Sequence, residues 1–160
     1  MPVKRVPIMI TRDDPFGPDG TLLIQELDLE LNGLYPSSSV HGLHPEDADP
    51  KRLFFYIARQ NGDVLGCGGF RILETDLVEI KRMYVRQDFR RLGIANMILE
   101  FLEETVRDMK FPVIRLETGF RQIAANTLYE KNGYYSIECY GEYADDPHSR
   151  CYEKVLEMDV

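Results

Sequence analysis

Cysteine is scarce in this chain: Cys67, Cys139 and Cys151 are the only three in 160 residues, and no two of them stand at C-x-x-C spacing. An odd count without that spacing excludes a zinc ribbon, a thioredoxin-like pair and a disulfide framework, so the thiols are expected to stay free in a reducing compartment. Long apolar runs are missing too. No stretch approaches the roughly 18 apolar residues of a membrane span. The start, MPVKRVPIMITRDD, has neither the apolar region nor the cleavage site of a signal peptide, so a cytoplasmic location is expected. No G-K-[ST] follows a glycine turn, which excludes a P-loop. His41 and His44 are three apart and His148 is remote, with no third ligand at metal spacing, so no metal is expected. Basic charge is in deficit: 19 Lys and Arg face 27 Asp and Glu, leaving −8. Such a surface repels nucleic acid and anionic membrane alike. Against that background, residues 81–91 hold Lys81, Arg82, Arg86, Arg90 and Arg91 with a single acid, Asp88.

The composition is that of an ordinary globular domain, 44% apolar, and a chain this long buries roughly two-thirds of its unfolded surface. No repeat, low-complexity tract or linker interrupts residues 1–160, which read as one domain. Residues 6–11 read as a strand, and residues 19–34 carry Leu22, Leu23, Leu27, Leu31 and Leu34 at helical spacing until Pro36 ends the pattern. Residues 37–50 are an irregular loop with one helical turn after Pro45. Residues 53–60, Asn61-Gly62 and residues 63–73 form a hairpin, since Asn-Gly readily takes the two positive φ angles of a type I′ turn. A third strand follows at 77–85. Residues 92–109 set Leu92, Ala95, Ile98, Leu99, Leu102 and Val106 on one helical face. Then come a strand at 112–118, a helix at 122–132 closed by Asn132-Gly133, and strands at 134–143 and 149–157. The order β-α-loop-βββ-α-β-α-ββ belongs to an α/β domain with a mixed sheet.

Two glycine-rich stretches need different readings. Gly66-Cys67-Gly68-Gly69 lies inside a hairpin strand with no helix opening after it, so it marks a bulge or a close backbone approach rather than a dinucleotide turn. Arg90-Arg91-Leu92-Gly93-Ile94-Ala95 instead sits between a strand and a long helix. There the unpaired N–H groups and positive helix end suit an anion, and the expected ligand is a diphosphate held mainly by backbone.

Arg90-x-x-Gly93-x-Ala95, directly after the strand Glu79-Ile-Lys-Arg-Met-Tyr-Val85, resembles the acetyl-CoA signature [Q/R]-x-x-G-x-[G/A] of the GNAT N-acetyltransferases. Asn126-Thr-Leu-Tyr129-Glu-Lys-Asn-Gly133-Tyr134 resembles the second signature of that family, N-x-x-[LY]-Y-x-x-x-G-[FY], at the usual distance downstream. The resemblance extends to the element order, is weakest over residues 1–50, and points to small single-domain microbial members. It implies a central mixed, mostly antiparallel sheet of about seven strands flanked by about four helices. It further implies that backbone amides of Arg91, Leu92, Gly93, Ile94 and Ala95 hold the pyrophosphate of acetyl-CoA, while Met83 and Val85 pair with the pantetheine arm like an extra strand. Arg86, Arg90 and Arg91 would neutralise phosphates, Lys131 or a base of this loop would reach the 3′-phosphate, and Asn126 would bond the pantetheine. Ala95 stands where many relatives have Gly, and Arg91 precedes Leu92 where Gly is common.

For the chemistry, the resemblance assigns Tyr129 to protonate the departing thiolate. Full transfer from a phenol of pKa ~10 to a thiolate of pKa ~8.5 is uphill by about 2 kcal/mol, so the proton should move as the C–S bond breaks. The alternative for Tyr129 is a packing aromatic. The acceptor amine must lose a proton first, and an amine of pKa ~10.4 is free in only about one molecule in 2,500 at pH 7. Glu79 aligns with the base of the histone-acetylating branch; its alternative is an inward strand glutamate paired with Lys81 or Arg82. The Met83 N–H is the candidate for polarising the thioester carbonyl. Tyr35, Ser38, His41, Tyr140 and Tyr143 are candidates to line an acceptor pocket, and Arg82 and Arg121 to meet an acceptor carboxylate or form salt bridges. No His stands by a cysteine, which argues against a covalent cysteine mechanism. The expected activity is direct transfer of acetyl from acetyl-CoA to a primary amine of a small molecule. A protein N-acetyltransferase and a non-catalytic acyl-CoA sensor are the alternatives, and monomer and homodimer both stay open.

Overall fold

The computed structural model describes residues 6–158. Seven strands form one sheet in the order β1-β2-β3-β4-β5-β7-β6. They are β1 (Met9–Arg12), β2 (Leu53–Gln60), β3 (Asp63–Glu74), β4 (Leu77–Val85), β5 (Val113–Gly119), β6 (Tyr135–Ile137) and β7 (Ser149–Val155). Every neighbouring pair is antiparallel except β4 and β5. Three α-helices cover the sheet, α1 (Pro18–Leu34), α2 (Ile94–Asp108) and α3 (Ile123–Lys131). The resemblance implied about four; residues 37–50 form the expected irregular loop, with short 3-10 turns at Ser37–Ser39 and, after Pro45, at Pro45–Ala48. Among the described residues no helix is long and apolar enough to cross a membrane.

The alternation of β2 decides which helix lies on which face. Leu53, Phe55 and Ile57 pack with Leu23 of α1. Their neighbours Phe54, Tyr56 and Ala58 join the larger core that Ile98, Leu99, Leu102 and Val106 of α2 fill from the other side, with Tyr129 of α3. The two-residue β2–β3 turn forms as expected, with Asn61 at φ 50° and Gly62 at φ 85°. Gly66 to Gly69 is a place of close approach: a Cβ on Gly68 would lie 2.5 Å from Met83 Sδ and 2.9 Å from Ile98 Cγ2. Opposite it β4 bulges, since Cys67 pairs with Tyr84 and Gly69 with Lys81, leaving Arg82 and Met83 across from Gly68 alone.

Two expectations fail at the C-terminal end. The strand expected at 134–143 pairs only over Tyr135–Ile137; the chain then leaves the sheet and turns at Gly141–Tyr143, with Gly141 at φ 52°. The cysteines are not all free, because Cys139 and Cys151 form a disulfide and Cys67 alone stays a thiol. An odd count ensures one thiol left over and does not forbid a single bridge; with it goes the cysteine argument for a reducing compartment. The bridge holds the departing segment against β7.

Candidate active site

The parallel pair is short. Its ladder runs from Leu77↔Val113 to Ile80↔Leu116. Beyond that point β4 stays with β3 and β5 with β7, so a seam opens in the middle of the sheet between Lys81–Val85 and Glu117–Gly119. A cleft of about 800 Å³ occupies it, within the usual range for small-molecule sites. One end lies at the start of α2, with Arg91, Gly93, Ile94, Ala95 and Asn96. The middle runs between Met83–Val85 and the start of α3, and the far end is formed by Lys81, Glu117, His41 and Tyr143, with Leu27, Leu31 and Leu34 of α1 alongside.

At the α2 end, Gly93 takes φ 79° as the residue before the helix, no side chain caps the first turn, and no atom lies within 4 Å of where its Cβ would be. The first-turn amides and the positive helix end are therefore open to an anion and to close approach of a phosphate. The arginines are less free than their charge suggested. Arg82 binds Asp28 at 2.6 Å, Arg86 binds Glu26 at 3.1 Å, and Arg90 holds Glu30 with two bonds of 2.8 and 2.9 Å. Carboxylates of α1 thus neutralise two of the three expected phosphate-binding arginines, Arg86 and Arg90, and also Arg82, which takes its salt-bridge alternative. Arg86 lies off the cleft wall; Arg90 stays on it, its Nε donating to the Val85 carbonyl at 2.8 Å. Arg91 is exposed, on the wall, and without an ion pair among the described residues. Leu92, 67% exposed, and Lys131 lie outside the wall. Asn126 also departs from expectation: its Nδ2 donates to the Gly119 carbonyl at 3.0 Å and its Oδ1 accepts from Thr118, so its amide ties α3 to β5.

The catalytic candidates separate. Tyr129 is buried on the cleft wall, and its hydroxyl makes no hydrogen bond among the described residues. Burial, reinforced by the nearby Glu117 charge, pushes its pKa well above the ordinary phenol value, which keeps the proton on oxygen through the neutral range. Glu79 does not reach the cleft. Its carboxylate accepts from Arg71 at 2.6 Å and from the Tyr140 hydroxyl at 2.6 Å. The base reading for Glu79 therefore fails on geometry, since both oxygens are spent on a buried network that Arg71 extends to Asp47. Even the structural alternative named other partners, Lys81 or Arg82. The carboxylate that does line the far end of the cleft is Glu117, unremarked in the sequence. It lies on the cleft wall at the end of β5, takes a 2.6 Å bond from the Ser149 hydroxyl, and is pushed up by burial to about 7. Its signal was position: it stands just past the ladder, at the carboxyl end of a parallel strand, where α/β sheets bind ligands.

Of the acceptor-pocket candidates, His41, Tyr143, Arg82 and Arg121 lie on the cleft wall. His41 Nε2 is 2.7 Å from Asp146, and Tyr143 Oη accepts from Lys81 Nζ at 2.8 Å. Three others leave the pocket. Tyr35 is buried, its hydroxyl accepting from the Arg121 amide; Ser38 is exposed, and its neighbour Ser39 bonds Asp146; Tyr140 is turned onto Glu79. Burial lowers the pKa of Lys81, a residue the sequence offered only as a partner for Glu79.

Fold and cleft together define an α/β domain with a substrate seam opening at a helix N-terminus. The model of the Acetyltransferase (GNAT) family matches residues 22–134, and the chain belongs to that family, whose members are acyl-CoA-dependent acyltransferases. It is similar to the IAA acetyltransferase of Azospirillum brasilense, 35% identical over 93% of this chain and 98% of that protein. A solved Klebsiella pneumoniae structure described as an acyl-CoA N-acyltransferase is 30% identical, covers 94% of this chain and 98% of its own, and superposes with a TM-score of 0.80. A GNAT acetyltransferase of Elizabethkingia anophelis, solved with acetyl-CoA bound, shares the fold at 18% identity and a TM-score of 0.68, over 93% and 98% of the two chains.

Proposed function

We propose that residues 1–160 act as one N-acetyltransferase domain that moves acetyl from acetyl-CoA to a primary amine of a small molecule, by direct attack in a ternary complex. The observation that carries this reading is the continuity of one cleft from the open N-terminus of α2, along the unpaired edge of β4, to Glu117 and Tyr129. The open amides of Gly93, Ile94 and Ala95 suit a pyrophosphate, with Arg91 beside them. The seam-side edge of β4 at Met83 and Val85, with the Val85 carbonyl already held by Arg90, suits an extended amide-bearing arm. Acetyl-CoA supplies the thioester. Glu117 takes a proton from the acceptor ammonium, and the amine nitrogen attacks the acetyl carbon. The C–N bond forms as the C–S bond breaks, Tyr129 gives its proton to the sulfur, and the acylated nitrogen sheds its second proton to restore the Tyr129 phenol and leave a neutral amide. A carboxyl of pKa about 7 suits this work far better than an ordinary carboxylate, because a general base is most effective near the operating pH. The Met83 amide, in the β4 bulge, is the group proposed to polarise the carbonyl. Small acceptors are favoured because the far end of the cleft is narrowed by the side chains of His41, Lys81, Glu117 and Tyr143 and the net charge of −8 repels anionic macromolecules.

The deciding experiment is thiol release from acetyl-CoA over a panel of small primary amines and lysine-bearing peptides. Small amines are expected to turn over with the higher kcat/KM. Peptide lysines winning would establish the protein-acetylating alternative, and tight CoA binding with no turnover of any amine would establish the sensor.

A further inference from the structure

Three basic side chains are buried among the described residues, and two of them have carboxylate partners: Arg71 with Asp47 and Glu79, Arg82 with Asp28. Lys81 is the exception. It is 7% exposed, yet its only hydrogen bond is to the neutral Tyr143 hydroxyl at 2.8 Å, and no carboxylate lies within ion-pair distance among the described residues. A buried ammonium without an anion is costly, and such groups are ordinarily paired. Lys81 lies on the cleft wall with two N–H donors unspent.

The register shows where the missing anion belongs. Ile80↔Leu116 is the last pair of the parallel ladder, so Lys81 and Glu117 are the next two residues, one on each side of the opening seam, and both face the cleft. With the strands still together, they would form a cross-strand ion pair. The seam separates them, leaving a buried lysine and a half-buried carboxyl on opposite sides of the cleft. One further observation points the same way: Arg82, also on the wall, keeps its Nε buried without a partner.

We propose that the acceptor is an amino acid, its carboxylate seated on Lys81 beside Tyr143 and its amine turned to Glu117. This rests on the N-acetyltransferase reading above and names the substrate class of the same site. A zwitterion inserted between Lys81 and Glu117 completes the pair that the seam breaks. A simple amine leaves the Lys81 charge unmet.

The test compares free amino acids with their carboxamides, which keep the size and the amine and lose the charge. The wild-type protein is expected to acetylate its best amino acid with kcat/KM about 10²-fold or more above the matching amide, since a site built around a polar partner rejects the analogue lacking it. In Lys81→Met, which keeps side-chain length, that ratio should fall to within about threefold. Calorimetric CoA binding would verify that the variant is folded, and Lys81→Gln serves if Met is not tolerated. Amides accepted as well as acids by the wild type would overturn the proposal and leave the N-acetyltransferase reading standing, as would an unchanged ratio in both folded variants. No turnover of acid, amide or amine by a protein that binds acetyl-CoA would overturn both.

Discussion

Glu79, buried, and Glu117, half-buried, are carboxylates on the two strands of the parallel pair, and their roles are decided by what else occupies the same space. Glu79 pairs inside the ladder, where Arg71 and Tyr140 take both its oxygens; Glu117 stands one step past the ladder and keeps a face on the cleft. Spacing along one strand cannot reveal this, because it depends on where two remote strands part company. Two outcomes follow at this scale. With Glu117 as base, kcat/KM should rise with pH through about 7, and Glu117→Gln should remove that limb while Glu79→Gln leaves its midpoint in place. Repeating the profile with amines of different pKa separates the enzyme's limb, which stays fixed, from the substrate's. Because the folded carboxyl is raised from 4.5 to about 7, the folded chain holds a proton that the unfolded chain releases. Its contribution to stability therefore falls as pH rises across that window, and thermal melts of Glu117→Gln should show less of that fall. The place of Tyr129 on the cleft wall was legible, since Asn126 and Gly133 frame it in the sequence. Tyr129→Phe should lower kcat by about 10²- to 10⁴-fold with CoA affinity nearly unchanged; undiminished turnover would return it to packing.

Hairpin and helix periodicity survive into the structure because they are local: Asn61-Gly62 turns the chain wherever it sits, and the α2 stripe is buried from Ile98 to Val106, while Leu92, expected to open it, lies before the helix and is exposed. The bulge at Arg82 and Met83 was not legible, as it needs the partner strand and the missing Gly68 side chain to be seen together. The charge of residues 81–91 was read correctly in sign and incorrectly in freedom, because its counter-charges Glu26, Asp28 and Glu30 lie on a different element. The partly exposed Arg86–Glu26 and Arg90–Glu30 pairs contribute only about 0.2–1 kcal/mol each, so a phosphate can displace them. Glu30→Gln should release Arg90 and tighten CoA binding several-fold by calorimetry, with the gain shrinking in high salt. Gly93→Val should act in the opposite direction. A β-branched residue at φ 79° is strained, by roughly 1–2 kcal/mol, and its side chain would stand in the open space before the α2 amides. Loss of CoA binding in a protein that still melts cooperatively is the expected result, and retained wild-type affinity would place the phosphate elsewhere.

Over the whole molecule, element order and motif spacing foretold the sheet, while the final segment was misread because its course is set by a covalent bridge. Cys139–Cys151 closes a loop of 12 residues in sequence separation, worth about 3 kcal/mol in chain entropy. Replacing both cysteines with serine should therefore lower Tm by about 5–10 °C under non-reducing conditions, and thiol titration of the unfolded wild type should find one free group, Cys67. The seam has a consequence of another kind. A sheet normally pairs its interior strands on both sides and leaves unpaired backbone only at its two outer margins, yet here β4 carries an unpaired margin in the middle of the fold. Any extended chain that enters can borrow it, so the empty protein is expected to be the aggregation-prone form. Occupying the seam with CoA should slow amide exchange at Met83 and Val85 and lengthen the time to turbidity on warming, a protection that comes from closing an internal strand edge.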